Sequence, residues 1–326
     1  MKLFNSIFFT LFFSISVFAT QSRFTRALVF GDSLSDVGTY SPWAGTKGGG
    51  KFVTNPGQLW IEIVAGYLGL PMKERAHEGY GIPYTYIGGF NFAQGGARIS
   101  LPGEVVMTSD QVPLKFSARS LADQVNVFFA DKKLAPLSEN DLVFIQGGAN
   151  DIILQLDVAY AKNGLEKIVP KIQKAADDLV KLIVKLQTAG AKNIAIQNLP
   201  MVHKAPRFIN LPAAKNQIVA TLVQTFNTRL AEGLVDKDVL LIDMYSFDQT
   251  FNDNYVQLGF ENVTQPACRL KDLMGGLALF CTGQTLVKDG ADMTYKFSDD
   301  VHPSTGYSKV IGDLFWVGLR AKYGFE

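Results

Sequence analysis

Arg26-Ala-Leu-Val-Phe-Gly-Asp-Ser-Leu-Ser35 is apolar from Ala27 to Phe30 and breaks at Gly31-Asp32-Ser33. A short apolar run bounded by a turn reads as a strand buried on both faces, the kind parallel sheets use. The turn then delivers Ser33 to the carboxyl edge of that sheet, where open α/β sheets hold their ligands. Gly-Asp-Ser is equally an ordinary turn sequence. A nucleophilic Ser33 therefore requires a base, an orienting acid and oxyanion donors from elsewhere in the chain.

Outward from this stretch, apolar runs alternate with helical patterns. Strands are expected at 27–30, 90–93, 141–146, 193–197 and 239–243, and helices at 58–70, 120–131, 165–189, 213–232 and 304–323. Residues 71–90 read as loop and 244–298 as irregular. The alternation implies an α/β fold with a mostly parallel sheet covered on both faces. No repeat, Pro/Ser linker or composition break divides the chain, so 20–326 is expected to be a single domain.

The 326 residues, 47% hydrophobic, suffice for a full core. Net charge is +1 with no basic stripe, which argues against a nucleic-acid partner. Residues 1–19 stand apart: Lys2, an apolar run from Leu3 to Val17, then Val17-Phe18-Ala19 as a small-x-small cleavage site. This reads as a secretory signal peptide, the run being shorter than the roughly 20 residues of a spanning helix. A secreted or periplasmic protein is expected. The only two cysteines, Cys268 and Cys281, then favour a disulfide closing a small loop. Two thiols without a nearby histidine make a poor zinc site, and neither metal nor cofactor is expected.

Only three histidines compete for the role of base. His302 lies in Ser298-Asp-Asp-Val-His-Pro-Ser-Thr-Gly306, with carboxylates two and three residues before it. An Asp–His pair on one turn can hold the tautomer a general base needs. His77 sits in a polar stretch and reads as solvated. His203 follows a strand end and could line a cleft, but lacks an adjacent carboxylate. Gly45–Lys51 imitates the start of a phosphate loop, yet Phe52 stands where the hydroxyl residue belongs; a mobile loop beside Ser33 is the better reading. Tyr40, Trp43 and Phe52 either build an apolar acyl site or pack their own loops.

Four blocks occur in order: Gly31-Asp32-Ser33-Leu34, Asn91-x-Ala93-x-Gly95-Gly96-Ala97, Gly148-Ala149-Asn150-Asp151 and Asp299-x-x-His302-Pro303. Together they resemble the GDSL family of SGNH hydrolases, in particular its bacterial lipase/esterase branch. The resemblance implies a three-layer flavodoxin-like fold, with Ser33 as nucleophile, His302 as general acid/base and Asp299 as its orienting acid. It implies an oxyanion hole from the Ser33 N–H, the Gly95 N–H and the Asn150 side chain, with the adjacent Gly96 as the alternative donor. The function expected is hydrolysis of carboxylic esters, from lipids or lysophospholipids, by a monomer that touches lipid surfaces peripherally. The alternatives are a carbohydrate O-acetyl esterase, a lipid acyltransferase and a secreted binding protein with a vestigial site.

Overall fold

The structure, a computed structural model, describes residues 23–106 and 115–324. The expected signal peptide lies outside the described residues. Four parallel strands, β1 (Arg26–Phe30), β2 (Asp141–Ile145), β3 (Asn193–Gln197) and β4 (Leu240–Ile242), form the central sheet in that spatial order. Segment 90–93, expected as a strand, flanks β1 only as an isolated parallel bridge. Val29 N–H donates to Phe90 O at 3.0 Å and Phe92 N–H to Val29 O at 2.8 Å. With that segment the order along the sheet is second, first, third, fourth, fifth in chain sequence, the flavodoxin-like arrangement. Its topological switch point lies between β1 and β2, so Ser33 and the Gly148–Asp151 block leave neighbouring strands at one edge.

Alternation along each strand feeds two cores. Leu28, Phe30, Val143, Ile145, Ile194 and Ile196 meet helices α2 (Leu121–Ala130), α3 (Gly164–Thr188) and α4 (Ala213–Leu234). Ala27, Val29, Leu142, Phe144, Ala195 and Ile242 meet α1 (Trp60–Leu68), α5 (Met244–Asn254) and α6 (Thr305–Tyr323) on the other face. The result is three layers. Full burial of side chains such as Phe30 and Phe144 contributes about 2 kcal/mol each. Helix ends follow local chemistry: Ser120 and Ser304 cap α2 and α6 by accepting the Asp123 and Tyr307 N–H, both at 3.1 Å.

Two stretches differ from expectation. Within 71–90, strands Ala76–Gly79 and Ile82–Tyr86 pair as a hairpin, turned by positive φ at Gly79, Tyr80 and Gly81. Ile82, Tyr84 and Tyr86 alternate along the second strand, but the run is short, interrupted by Pro83 and flanked by glycines, so it reads as loop. Within 244–298, α5 is a regular helix that buries Met244, Phe247 and Phe251 at helical spacing. Asn262–Pro266 and Tyr295–Phe297 pair in parallel beyond it. The cysteines do form the expected disulfide. Around it, Tyr40, Phe52, Tyr80, Leu279 and Phe280 build a third, smaller core.

Candidate active site

At the end of β1 the Asp32 side chain shapes the turn by accepting the Leu34 N–H at 3.0 Å. Ser33 stands there, 8% exposed. Its Oγ lies 2.9 Å from His302 Nε2, across 269 residues of chain. On the far side of the ring, His302 Nδ1 donates to Asp299 Oδ2 at 2.7 Å. That bond fixes the proton on Nδ1 and leaves Nε2 free to accept the serine O–H. The other Asp299 oxygen accepts the backbone N–H of Val301 (2.8 Å) and of His302 (2.7 Å), which locks the turn. Burial alone would raise the Asp299 carboxyl. The facing imidazole and these hydrogen bonds outweigh it and hold the group down at about 2. Asp300 turns outward and pairs with Arg207 through two bonds of 2.8 Å.

A fourth donor to Asp299 comes from a segment that motif reading missed. Ala278 N–H, inside the disulfide-closed loop, reaches Asp299 Oδ2 at 2.7 Å. Both loop ends are tied down: Cys268 N–H donates to Ser298 O at 3.0 Å, and Asn55 N–H to Cys281 O at 2.8 Å. No local pattern announces a backbone N–H as a partner, so this contact belongs to tertiary structure alone.

The oxyanion assignment needs a correction at Gly95. Its N–H donates to Asp36 Oδ2 at 2.9 Å and is therefore spent. A side chain at Gly95 would also meet the Phe52 ring at 2.3 Å, so packing accounts for that glycine. Gly96, with φ +84°, lines the cavity instead. Asn150 starts a short helix at the end of β2, and its Nδ2 donates to Ala97 O at 3.0 Å. One Nδ2 hydrogen remains for a ligand. Ser33, Gly96 and Asn150 thus border one space.

That space is a cavity of about 480 Å³ running past Ser33 and His302. Its wall includes the apolar side chains of Phe52, Ile153, Leu154, Val202 and Leu277. Phe52 packs on the His302 ring at 4.9 Å between centroids. Tyr40 and Trp43 pack in the third core, against Tyr80 and Phe280, and do not line it. His203 is buried but does not line the cavity, contrary to one sequence expectation. His77 bonds Glu74 at 2.9 Å on the hairpin. The Gly45–Lys51 stretch forms short helical turns tied to the disulfide loop, with Gly50 N–H donating to Leu279 O at 3.0 Å. Lys51 is engaged with Glu62.

An open α/β sheet with a serine–histidine–aspartate hydrogen-bonded chain at its switch point defines a hydrolase-type site. The chain belongs to the GDSL-like lipase/acylhydrolase family, whose model matches residues 28–315. This is a family of ester-hydrolysing enzymes. The chain is 22% identical over 362 residues to a GDSL esterase/lipase from Arabidopsis thaliana, covering 97% of this chain and 98% of that one. It is 23% identical over 238 residues to an anther-specific proline-rich protein from Brassica napus, covering 66% of this chain. It spans 50% of that relative's length. Among solved structures it is similar to an extracellular lipase from Streptomyces rimosus, at 16% identity and a TM-score of 0.45, covering 91% and 99% of the two chains.

Proposed function

We propose that the protein is an exported serine esterase that cleaves carboxylic esters of lipid type through an acyl-enzyme on Ser33. The observation that carries this reading is the unbroken chain from Ser33 Oγ through His302 to Asp299 in the wall of the cavity. His302 Nε2 takes the Ser33 proton as Oγ attacks the ester carbonyl. The Ser33 and Gly96 N–H groups and Asn150 Nδ2 hold the oxyanion. His302 then protonates the departing alkoxide, and water releases the acid by the same route in reverse. The apolar wall from Ile153 to Leu277 favours a lipid acyl chain over a sugar acetate. The disulfide, together with the N-terminal signal-type sequence, supports an oxidising destination outside the cytoplasm.

The test is a panel of p-nitrophenyl esters and lysophospholipids scored on wild type and Ser33→Ala. The variant is expected to lose hydrolysis by about three orders of magnitude or more while unfolding at the same temperature. Wild-type turnover by the variant would sink the assignment. Rates that rise from acetyl to longer acyl chains favour lipid esters; the opposite trend favours the sugar-acetyl alternative.

A further inference from the structure

Lys296 is 1% exposed, and its ammonium group lies in the interior below the turn that carries His302. Nζ bonds Asp248 Oδ1 at 2.8 Å and Asn252 Oδ1 at 2.9 Å, both on α5. The rings of Phe251, Phe297 and Tyr307 surround it, their centroids 5.7, 5.2 and 4.9 Å from Nζ. Asp248, 2% exposed, is the hub of this cluster. Its Oδ1 also accepts the Tyr307 hydroxyl from α6, and its Oδ2 accepts the Met201 N–H at 3.2 Å. None of these residues belongs to the four sequence blocks that carry the site.

The same lysine is part of the stem that closes the histidine turn. Ser304 N–H donates to Lys296 O at 2.9 Å and Ser298 N–H to His302 O at 2.8 Å. Between them Phe297 and Pro303 face each other as an antiparallel bridge. Asp299 and His302 stand on the loop that this stem carries. Lys296 therefore grips the histidine turn through its backbone and α5 through its side chain. Met201 and its neighbour Val202 line the cavity, so Asp248 fixes that wall to the same point. Stability alone does not call for an ion pair here. Desolvation of two buried charges offsets most of their attraction, and apolar residues of similar volume often serve a core as well or better. What a fully bonded polar cluster adds is a single arrangement of the elements it joins, which apolar packing loses first when it is altered.

We infer that the buried Lys296–Asp248 pair positions His302 against Ser33. Neither residue touches a reacting atom; both are positioning residues that act through the stem of the histidine turn. Their contribution falls on the chemical step rather than on substrate binding. This rests on the reading of Ser33 as nucleophile and His302 as its base.

The experiment compares wild type, Lys296→Met, Asp248→Asn and the double variant. It measures melting temperature, kcat and KM on a p-nitrophenyl ester, and the rate at which a fluorophosphonate labels Ser33, all below the melting temperature of every variant. Each single change strands one buried charge and is expected to lower the melting temperature; the double variant strands none and is expected to recover most of that loss. Its kcat is nonetheless expected to stay about fivefold or more below wild type, with KM little changed and labelling slowed in step. A smaller loss of kcat in the double variant, or a loss carried by KM alone, overturns the inference and leaves the pair a structural role. Should the double variant fail to fold, Tyr307→Phe decides, because it keeps both charges and drops one arm of the hub. It is expected to cut kcat by about threefold or more at an unchanged melting temperature, and a smaller cut overturns the inference. Wild type that stays unlabelled at Ser33, with Ser33→Ala equally active, would remove the nucleophile reading and the inference with it.

Discussion

Asp36 Oδ2 accepts the backbone N–H of Gly95 at 2.9 Å, joining the turn after β1 to the glycine-bearing segment beside it. The other carboxylate oxygen accepts the Gly38 and Thr39 N–H at 3.0 and 2.8 Å. Burial raises the Asp36 carboxyl to about 6 against these bonds. One side chain therefore ties the Ser33 turn to the segment that presents Gly96.

Asp36→Ala leaves three backbone donors unpaired, each costing about 1–3 kcal/mol when it stays buried. We expect a lower melting temperature together with a kcat reduced by roughly tenfold or more and a little-changed KM. Thermal unfolding and steady-state kinetics on one short-chain ester check both. Full activity in the variant would mean that Gly96 holds its place without Asp36.

Under the proposed mechanism, Asn150→Ala removes one oxyanion donor while leaving the Ser33–His302–Asp299 hydrogen bonds intact. A loss in kcat of about 10²–10³ is expected, the size seen when such a donor is deleted. The proof is kinetic: KM stays near wild type while kcat falls. A loss confined to KM would place Asn150 in ground-state binding instead.

Asp299 titrates at about 2 in the fold against an ordinary 3.8. A depressed carboxyl contributes stability that is present above 3.8 and is lost as pH falls through 2. That gap amounts to something on the order of 2 kcal/mol. The stability difference between wild type and Asp299→Asn, measured by urea unfolding, should therefore shrink by about that amount between pH 5 and pH 2. A constant difference across that range would contradict the pairing with His302. At neutral pH the same variant should lose activity by about 10⁴, since an amide no longer fixes the imidazole tautomer.

The disulfide closes a loop with a sequence separation of 13, which supplies about 3 kcal/mol on the chain-entropy estimate. Because Ala278 in that loop donates to Asp299, the double variant Cys268→Ser/Cys281→Ser is expected to lose both melting temperature and kcat. Melting curves with and without reductant, alongside activity, provide the check. Loss of stability with unchanged kcat would confine the loop to a structural role.

The sheet strands were legible because full burial writes continuous apolar runs such as Ala27–Phe30 and Leu142–Ile145. Helices α2 and α6 were legible from their helical patterns of apolar residues, Leu121, Val125 and Phe128 in the case of α2. α5 was missed although Met244, Phe247 and Phe251 keep helical spacing, because the buried Asp248 interrupts its apolar stripe and polar residues such as Ser246, Gln249 and Asp253 fill its exposed face. The hairpin at 76–86 was missed because its strands are short and only Ala76 is buried, and because Pro83 and the flanking glycines give the segment the look of a loop.

By itself the sequence determined the parallel α/β layering and the residue types of the site: a serine after β1, and an aspartate three positions before a scarce histidine. These are local facts, set by burial pattern and turn chemistry. Only the tertiary structure decided that Ser33 and His302 meet at 2.9 Å, that Gly95 is spent on Asp36, and that the loop at 278 feeds Asp299. Each of those is a hydrogen bond between atoms far apart in the chain. A backbone N–H carries no signature of its partner until folding brings the two together.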